Sequence, residues 1–93
     1  MRYEKDKDKI KFFINGDLNY QETLFIRKTL KDERNVEIEF SPCAKFIDSE
    51  GIKLLYSLYK EGKNLKIVNP PELFSKIIKI LSLEELSKVV EKK

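Results

Sequence analysis

A chain of 93 residues can form one domain, and its charged share of 38% is well above the roughly 25% of ordinary globular proteins. It has no histidine and a single cysteine, Cys43, which excludes an intrachain disulfide, zinc sites and histidine-based catalytic triads. The net charge of +3 comes from interspersed signs without a basic stripe, so we expect no nucleic-acid partner. No apolar run approaches the roughly 20 residues that span a bilayer, and the charged start does not resemble a secretory signal. We therefore expect a cytoplasmic protein without membrane insertion.

The first predicted elements are a hairpin and a helix. Residues 9–15 have the β-branched and aromatic content of a strand, and residues 2–5 are a candidate hairpin partner. Asn19, with Glu22 three residues later, fits the capping box of a helix that should run to about Arg34. The predicted inner stripe of this helix has three- and four-residue spacing and consists of Thr23, Ile26 and Leu30.

The middle of the chain predicts a strand, a helix and a second strand. Residues 36–40 alternate apolar and acidic side chains, as a half-buried strand does. A helix is predicted over residues 50–61, with Gly62 as its C-terminal stop. Residues 65–68 form a short apolar strand, and one proline of Pro70-Pro71 can occupy the first turn of a third helix.

The order of these elements predicts the fold class. Strands that alternate with helices of about a dozen residues favour βαβ crossovers. Residues 83–90 fit either a short helix or a final strand. We therefore expect one α/β domain over residues 1–93, with a small, mixed, mostly parallel β-sheet and helices packed on it.

Functional residues of such a sheet are expected in the loops at the carboxyl ends of the strands. Here these loops are residues 16–19, 41–49 and 69–72, and the middle one contains Asp48 and Ser49. Asp and Ser are both favoured N-caps, because their side-chain oxygens accept hydrogen bonds from amides of the first helical turn. Spacing alone therefore favours a plain helix cap over a functional site.

Catalysis has little basis in this sequence. Ser49 has no histidine to activate it, and the three glycines are isolated, so no phosphate-binding glycine loop is present. Asp17 and Asp48 could come close in the fold, but loop carboxylates more often act as caps or turn residues. We therefore expect no enzyme, no catalytic residues, no metal site and no cofactor.

Residues 46–52, Phe-Ile-Asp-Ser-Glu-Gly-Ile, resemble the hallmark of the STAS domain of bacterial anti-sigma factor antagonists, an apolar pair followed by Asp-Ser-Ser-Gly and an aliphatic residue. Residues 16–19 are similar to the Gly-Glu-Leu-Asp of that family, and residues 65–70 resemble its strand leading into the third helix. The likeness extends over residues 9–90. Glu50 departs from the family pattern by replacing the second serine, and Ser82 stands where a glycine is common.

The resemblance implies a non-enzymatic regulatory protein that works by partner switching. Unphosphorylated, it would bind and sequester an anti-sigma factor that is itself a serine protein kinase. Phosphorylation of Ser49 would break that complex, and a PP2C-like phosphatase would reset it. The docking surface is expected at residues 17–19 and 45–52, with these partner-binding residues: Asp17, Asn19, Lys45, Phe46, Asp48, Glu50, Gly51 and Ile52.

Two alternatives stay open at this point. The first is a STAS domain that is a fixed subunit of a transport or signalling assembly, in which Ser49 is only a helix cap. The second is a small enzyme, which would need a concave site with a perturbed titratable group, and the sequence names no candidate for that group.

Overall fold

The computed structural model describes residues 1–92 and contains a five-stranded sheet with three α-helices and a short 3-10 helix in that part of the chain. The strands are β1 (Arg2–Asp6), β2 (Lys9–Ile14), β3 (Asn35–Phe40), β4 (Asn64–Val68) and β5 (Val90–Glu91). The helices are α1 (Tyr20–Thr29), α2 (Ser49–Lys60) and α3 (Glu72–Ile80), and the 3-10 helix is Glu84–Val89.

The sheet has the order β1-β2-β3-β4-β5, in which β1 is antiparallel to β2 and the other pairs are parallel. Each crossover from β2 onward moves to the next strand in the same direction, so right-handed connections place the helices on one face of the sheet. The predicted class, a small α/β fold with a mostly parallel sheet, is confirmed. Residues 83–90 form both of the structures that the sequence left open, a 3-10 helix and the start of a short final strand.

Side chains alternate between the two faces of the sheet. The face under the helices is apolar and fully or nearly fully buried, and it includes Ile10, Phe12, Ile14, Val36, Ile38, Phe40, Leu65 and Ile67. The other face, which we call the outer face, is largely charged. At its centre Lys11 lies 3.1 Å from Glu37 and 3.0 Å from Glu39, so the half-buried lysine compensates both carboxylates.

Helix α1 ends at Thr29, so the predicted extension to about Arg34 is wrong. Leu30 already has an extended backbone, and the chain then turns so that the carboxylate of Glu33 accepts the amide of Lys31 at 2.8 Å. The same carboxylate lies 2.8 Å from the ammonium of Lys5 on β1. This ion pair fixes the loop between α1 and β3 to the edge of the sheet.

The ends of α2 and α3 share one geometry. Gly62 follows α2 with a φ of +85°, which confirms it as the helix stop, and the amide of Lys63 donates back to the carbonyl of Leu58. After α3, Ser82 takes the same role with a φ of 58°, and the amide of Leu83 donates to the carbonyl of Ile78. Both ends are Schellman motifs, but only the first has the glycine that this backbone favours.

Candidate functional site

Two strand-to-helix loops are joined at the carboxyl end of the sheet. Leu18 and Ile47 form an isolated parallel bridge between the loop after β2 and the loop after β3. The amide of Leu18 donates to the carbonyl of Phe46 at 3.0 Å, and the amide of Asp48 donates to the carbonyl of Leu18 at 3.1 Å. Both bridge residues are fully buried, so hydrogen bonds and apolar packing hold the two loops as one unit.

The bridge aligns the starts of two helices. Asn19 is the N-cap of α1 and accepts the amide of Glu22 at 3.1 Å, as the capping box predicts. Asp48 is the N-cap of α2 and accepts the amide of Gly51 at 2.9 Å. Each cap directly follows a bridge residue, so the two N-termini, with their partial positive charges, start side by side.

Ser49 is the first residue of α2 and is exposed, and it is not the cap. Of the two candidate caps, Asp48 and Ser49, Asp48 is therefore the one that caps the helix. The reason is that Asp48 has the extended backbone of a cap, with φ −87° and ψ 172°, and its carboxylate already accepts the first-turn amide. The Ser49 side chain is consequently not needed for the helix start.

Asp17 has a structural role in the loop pair. Its carboxylate accepts the amide of Phe46 at 3.0 Å and the amide of Lys45 at 3.3 Å. Asp17 therefore holds the loop after β3 against the loop after β2. Both Asp17 and Asp48 act as acceptors for backbone amides, which is the ordinary role of loop carboxylates.

The predicted docking residues separate into a surface set and a supporting pair. Six of them are exposed or partly exposed: Asp17, Asn19, Lys45, Phe46, Asp48 and Glu50. These six residues and the exposed Ser49 form the surface that we call the docking face. Ile52 is fully buried, and Gly51 is buried so tightly that a Cβ there would lie 2.9 Å from Cγ of Leu18. Placing Gly51 and Ile52 on the docking surface is a misassignment, because they support that face from the core.

Two exposed apolar side chains that the sequence reasoning missed lie on the first two turns of α1, directly after the docking-face residue Asn19. Tyr20 is the first residue of α1 and is 55% exposed, and Leu24 follows one helical turn later and is exposed as well. Phe46, 44% exposed, belongs to the loop that pairs with the loop before α1. The available signal was that Tyr20 and Leu24 lie off the inner stripe of α1, where polar residues are usual.

The charges around Ser49 are mostly negative. Asp48 and Glu50 flank it in sequence, and the ammonium of Lys53 lies 3.5 Å from the carboxylate of Glu50. Lys53 is also four residues beyond Ser49, so it occupies the same side of α2. A new anion at Ser49 would thus meet two carboxylates, one lysine and the amides of the first helical turn.

Within residues 1–92 no cluster of three metal-ligating side chains was found, and no helix has the length and apolarity to cross a membrane. A cavity of about 540 Å³ opens beside Arg2, Phe13 and Glu39, and none of the docking-face residues lines it.

No protein-family model matches this chain, and no curated protein matches it. The structure shows the α/β fold class and the geometry of the loop pair. The resemblance to the STAS family is a resemblance of residue pattern.

Proposed function

We propose that this chain is a STAS-type anti-sigma factor antagonist, a non-enzymatic cytoplasmic binding protein with Ser49 as its phosphorylation switch. The observation that supports this most is that Ser49 is exposed at the first position of α2 while Asp48 caps the helix. A serine in this place is accessible to a kinase, and its modification leaves the cap intact.

The domain tolerates a phosphate at Ser49. The group adds roughly −1.5 to −2 charges and three acceptor oxygens. At a helix N-terminus the dipole and the first-turn amides favour an anion. Lys53 is one helical turn away and can exchange its weak, exposed pair with Glu50 for the phosphate. The fold therefore survives phosphorylation.

The complex with a partner does not tolerate the same phosphate. The docking face binds while Ser49 is a neutral hydroxyl between Asp48 and Glu50. A phosphate buried there without a new cation adds repulsion and a desolvation cost of several kcal/mol. Since each 1.4 kcal/mol is about tenfold in affinity, we expect at least a roughly hundredfold loss.

The docking face also indicates the chemistry of its partner. Tyr20, Leu24 and Phe46 provide exposed apolar area beside a rim that carries Asp48 and Glu50. Aromatic residues are enriched in the buried centres of protein interfaces, and charges at the rim steer complementary surfaces together. The partner in this proposal is an anti-sigma factor with serine kinase activity that presents an apolar patch with basic residues around it. A PP2C-like phosphatase removes the phosphate and restores binding.

The first test is phosphorylation in vitro. The chain is incubated with ATP and an anti-sigma serine kinase from the same source, and the modified site is mapped by mass spectrometry. We expect a single phosphate on Ser49, none on the Ser49→Ala variant, and full labelling of the matched control Ser75→Ala, which removes an exposed serine of α3. Labelling that avoids Ser49 while the kinase still binds the chain would contradict the switch.

Glu50 favours one alternative, a STAS subunit of a transport or signalling assembly without a switch. Its carboxylate places a fixed negative charge beside Ser49, where the family pattern has a second serine. In that case neither Ser49→Ala nor Ser49→Asp changes partner binding. The proposed switch requires Ser49→Asp to weaken binding and Ser49→Ala to preserve it.

A further inference from the structure

Strand β1 leaves one edge of the sheet open. Among residues 1–92 it pairs with β2 alone, and all five of its residues are exposed. Its outer edge presents backbone donors and acceptors that can pair with another strand, which natural proteins discourage with charged side chains, a proline or a bulge. Four of the five β1 residues are charged, and Lys5 is held by Glu33 at 2.8 Å. Because of these charges, β1 can pair only with a strand whose charges are complementary.

Apolar side chains collect along the same edge. Met1, Tyr3 and Phe25 are all exposed large apolar residues. The ring of Tyr3 lies 5.8 Å from the ring of Phe12 and 5.9 Å from the ring of Phe25. Tyr3 therefore connects the exposed Phe25 with Phe12, which belongs to the buried core. An open strand edge beside exposed aromatic rings is a surface on which a second strand would bury apolar area.

We propose that β1 pairs with β1 of a second copy of this chain, antiparallel about a two-fold axis at Tyr3. The two five-stranded sheets then join into one continuous sheet. Tyr3 lies opposite Tyr3 of the second copy, and Arg2 lies opposite the second copy's Glu4, twice by symmetry. Directly opposed residues have Cβ atoms about 4.5–5.5 Å apart, so both charge pairs and the tyrosine pair are in contact.

The charge order of β1 selects this register. The strand reads Arg-Tyr-Glu-Lys-Asp from Arg2 to Asp6. A two-fold axis at Glu4 would place Glu4 against its own copy, and an axis at Lys5 would place Lys5 against itself and Glu4 against Asp6. Like charges directly opposite destabilise a strand pair. Only the axis at Tyr3 brings opposite charges together without a like-charge pair.

The dimer leaves the docking faces accessible. A two-fold axis between antiparallel strands is perpendicular to the sheet, so the carboxyl ends of β2 and β3 point in opposite directions in the two copies. The two Ser49 residues therefore lie at opposite ends of the assembly. Self-association through β1 is independent of the proposed switch.

Sedimentation equilibrium of the whole chain, from about 10 μM to about 1 mM, tests the pairing. We expect a monomer–dimer equilibrium for the unmodified protein. Arg2→Glu and Glu4→Arg should each raise the dissociation constant at least about tenfold, because both charge pairs become repulsive. The double variant Arg2→Glu/Glu4→Arg should recover the dimer. The control Lys76→Glu makes the same charge change as Arg2→Glu on exposed α3 and should leave the dissociation constant unchanged.

Cysteine crosslinking tests the register. In a Cys43→Ser background, oxidised Tyr3→Cys should form a disulfide-linked dimer and Glu4→Cys should not. Circular dichroism confirms that each variant is folded, so that loss of the dimer is not loss of the fold. A folded protein that stays monomeric at about 1 mM, a dimer that the charge reversals do not weaken, or crosslinking through Glu4→Cys instead of Tyr3→Cys overturns the proposal.

Discussion

Glu33 should make the stability of this protein sensitive to acid. Its carboxylate is only 1% exposed, and it lies 2.8 Å from the ammonium of Lys5 and accepts the amide of Lys31 at 2.8 Å. The hydrogen bond from Lys5, with help from the Lys31 amide and against the burial of the carboxylate, lowers the pKa of Glu33 from 4.5 to about 2. Replacing Glu33 by Gln removes the charge and keeps the shape.

The lowered pKa of Glu33 gives the size of its contribution to the free energy of unfolding. A fall in pKa from 4.5 to about 2 corresponds to a ceiling of roughly 3 kcal/mol in the free energy of unfolding. Lys5 is 47% exposed, so solvent screens the pair, and we expect about 1–2 kcal/mol. Because the pKa of Glu33 is lowered in the folded state, this contribution is present above about pH 4.5 and is lost as the pH falls towards 2.

Urea unfolding of the unmodified chain and Glu33→Gln, followed by circular dichroism, measures the effect. Near neutral pH the variant should be about 1–2 kcal/mol less stable, and the difference should shrink as the pH falls to about 2. The control Glu84→Gln changes an exposed carboxylate of the 3-10 helix and should stay near the unmodified protein throughout. A stability gap for Glu33→Gln that is the same at neutral and acid pH would refute the reasoning.

Three substitutions test the local packing and the helix ends by the same unfolding measurement. Gly51→Ala should lower stability by about 1–2 kcal/mol although alanine favours helices, because its Cβ would lie 2.9 Å from Cγ of Leu18. Gly16→Ala is the control, since a Cβ at Gly16 would have no atom within 4 Å. A Gly51→Ala variant that is more stable than the unmodified chain would disprove the close contact. Ser82→Gly should raise stability by about 0.5–1 kcal/mol, since φ is 58° there, and a loss would contradict that backbone strain. Asp48→Ala should cost about 1 kcal/mol through the lost cap, Asp48→Asn much less, and equal losses would argue against a capping role.

Local patterns predicted much of the fold. The alternation of residues 36–40, the Asn19 cap and the Gly62 stop each follow from the geometry of one element and its own side chains. The end of α1 could not be predicted in this way. The inner stripe continues to Leu30, but the helix ends at Thr29, and the loop that follows is held by an ion pair between Glu33 and Lys5 of a distant strand.

The candidate site at the start of α2 was predicted less completely, because it too depends on a contact between distant parts of the chain. Asp48 and Ser49 are both good caps, and the bridge between Leu18 and Ile47 decides where the chain turns into α2. That bridge is a contact between two loops that no local pattern contains. The burial of Ile52 was accessible from the sequence, since an aliphatic residue on the inner stripe of a helix faces the core.

We propose that a phosphate on Ser49 breaks a complex that the unphosphorylated chain forms. Calorimetric titration of the partner kinase with the chain before and after stoichiometric phosphorylation at Ser49 measures this directly, with circular dichroism to confirm that both forms are folded. We predict a dissociation constant at least roughly a hundredfold larger for the phosphorylated chain. Equal affinity of the two folded forms would contradict the switch.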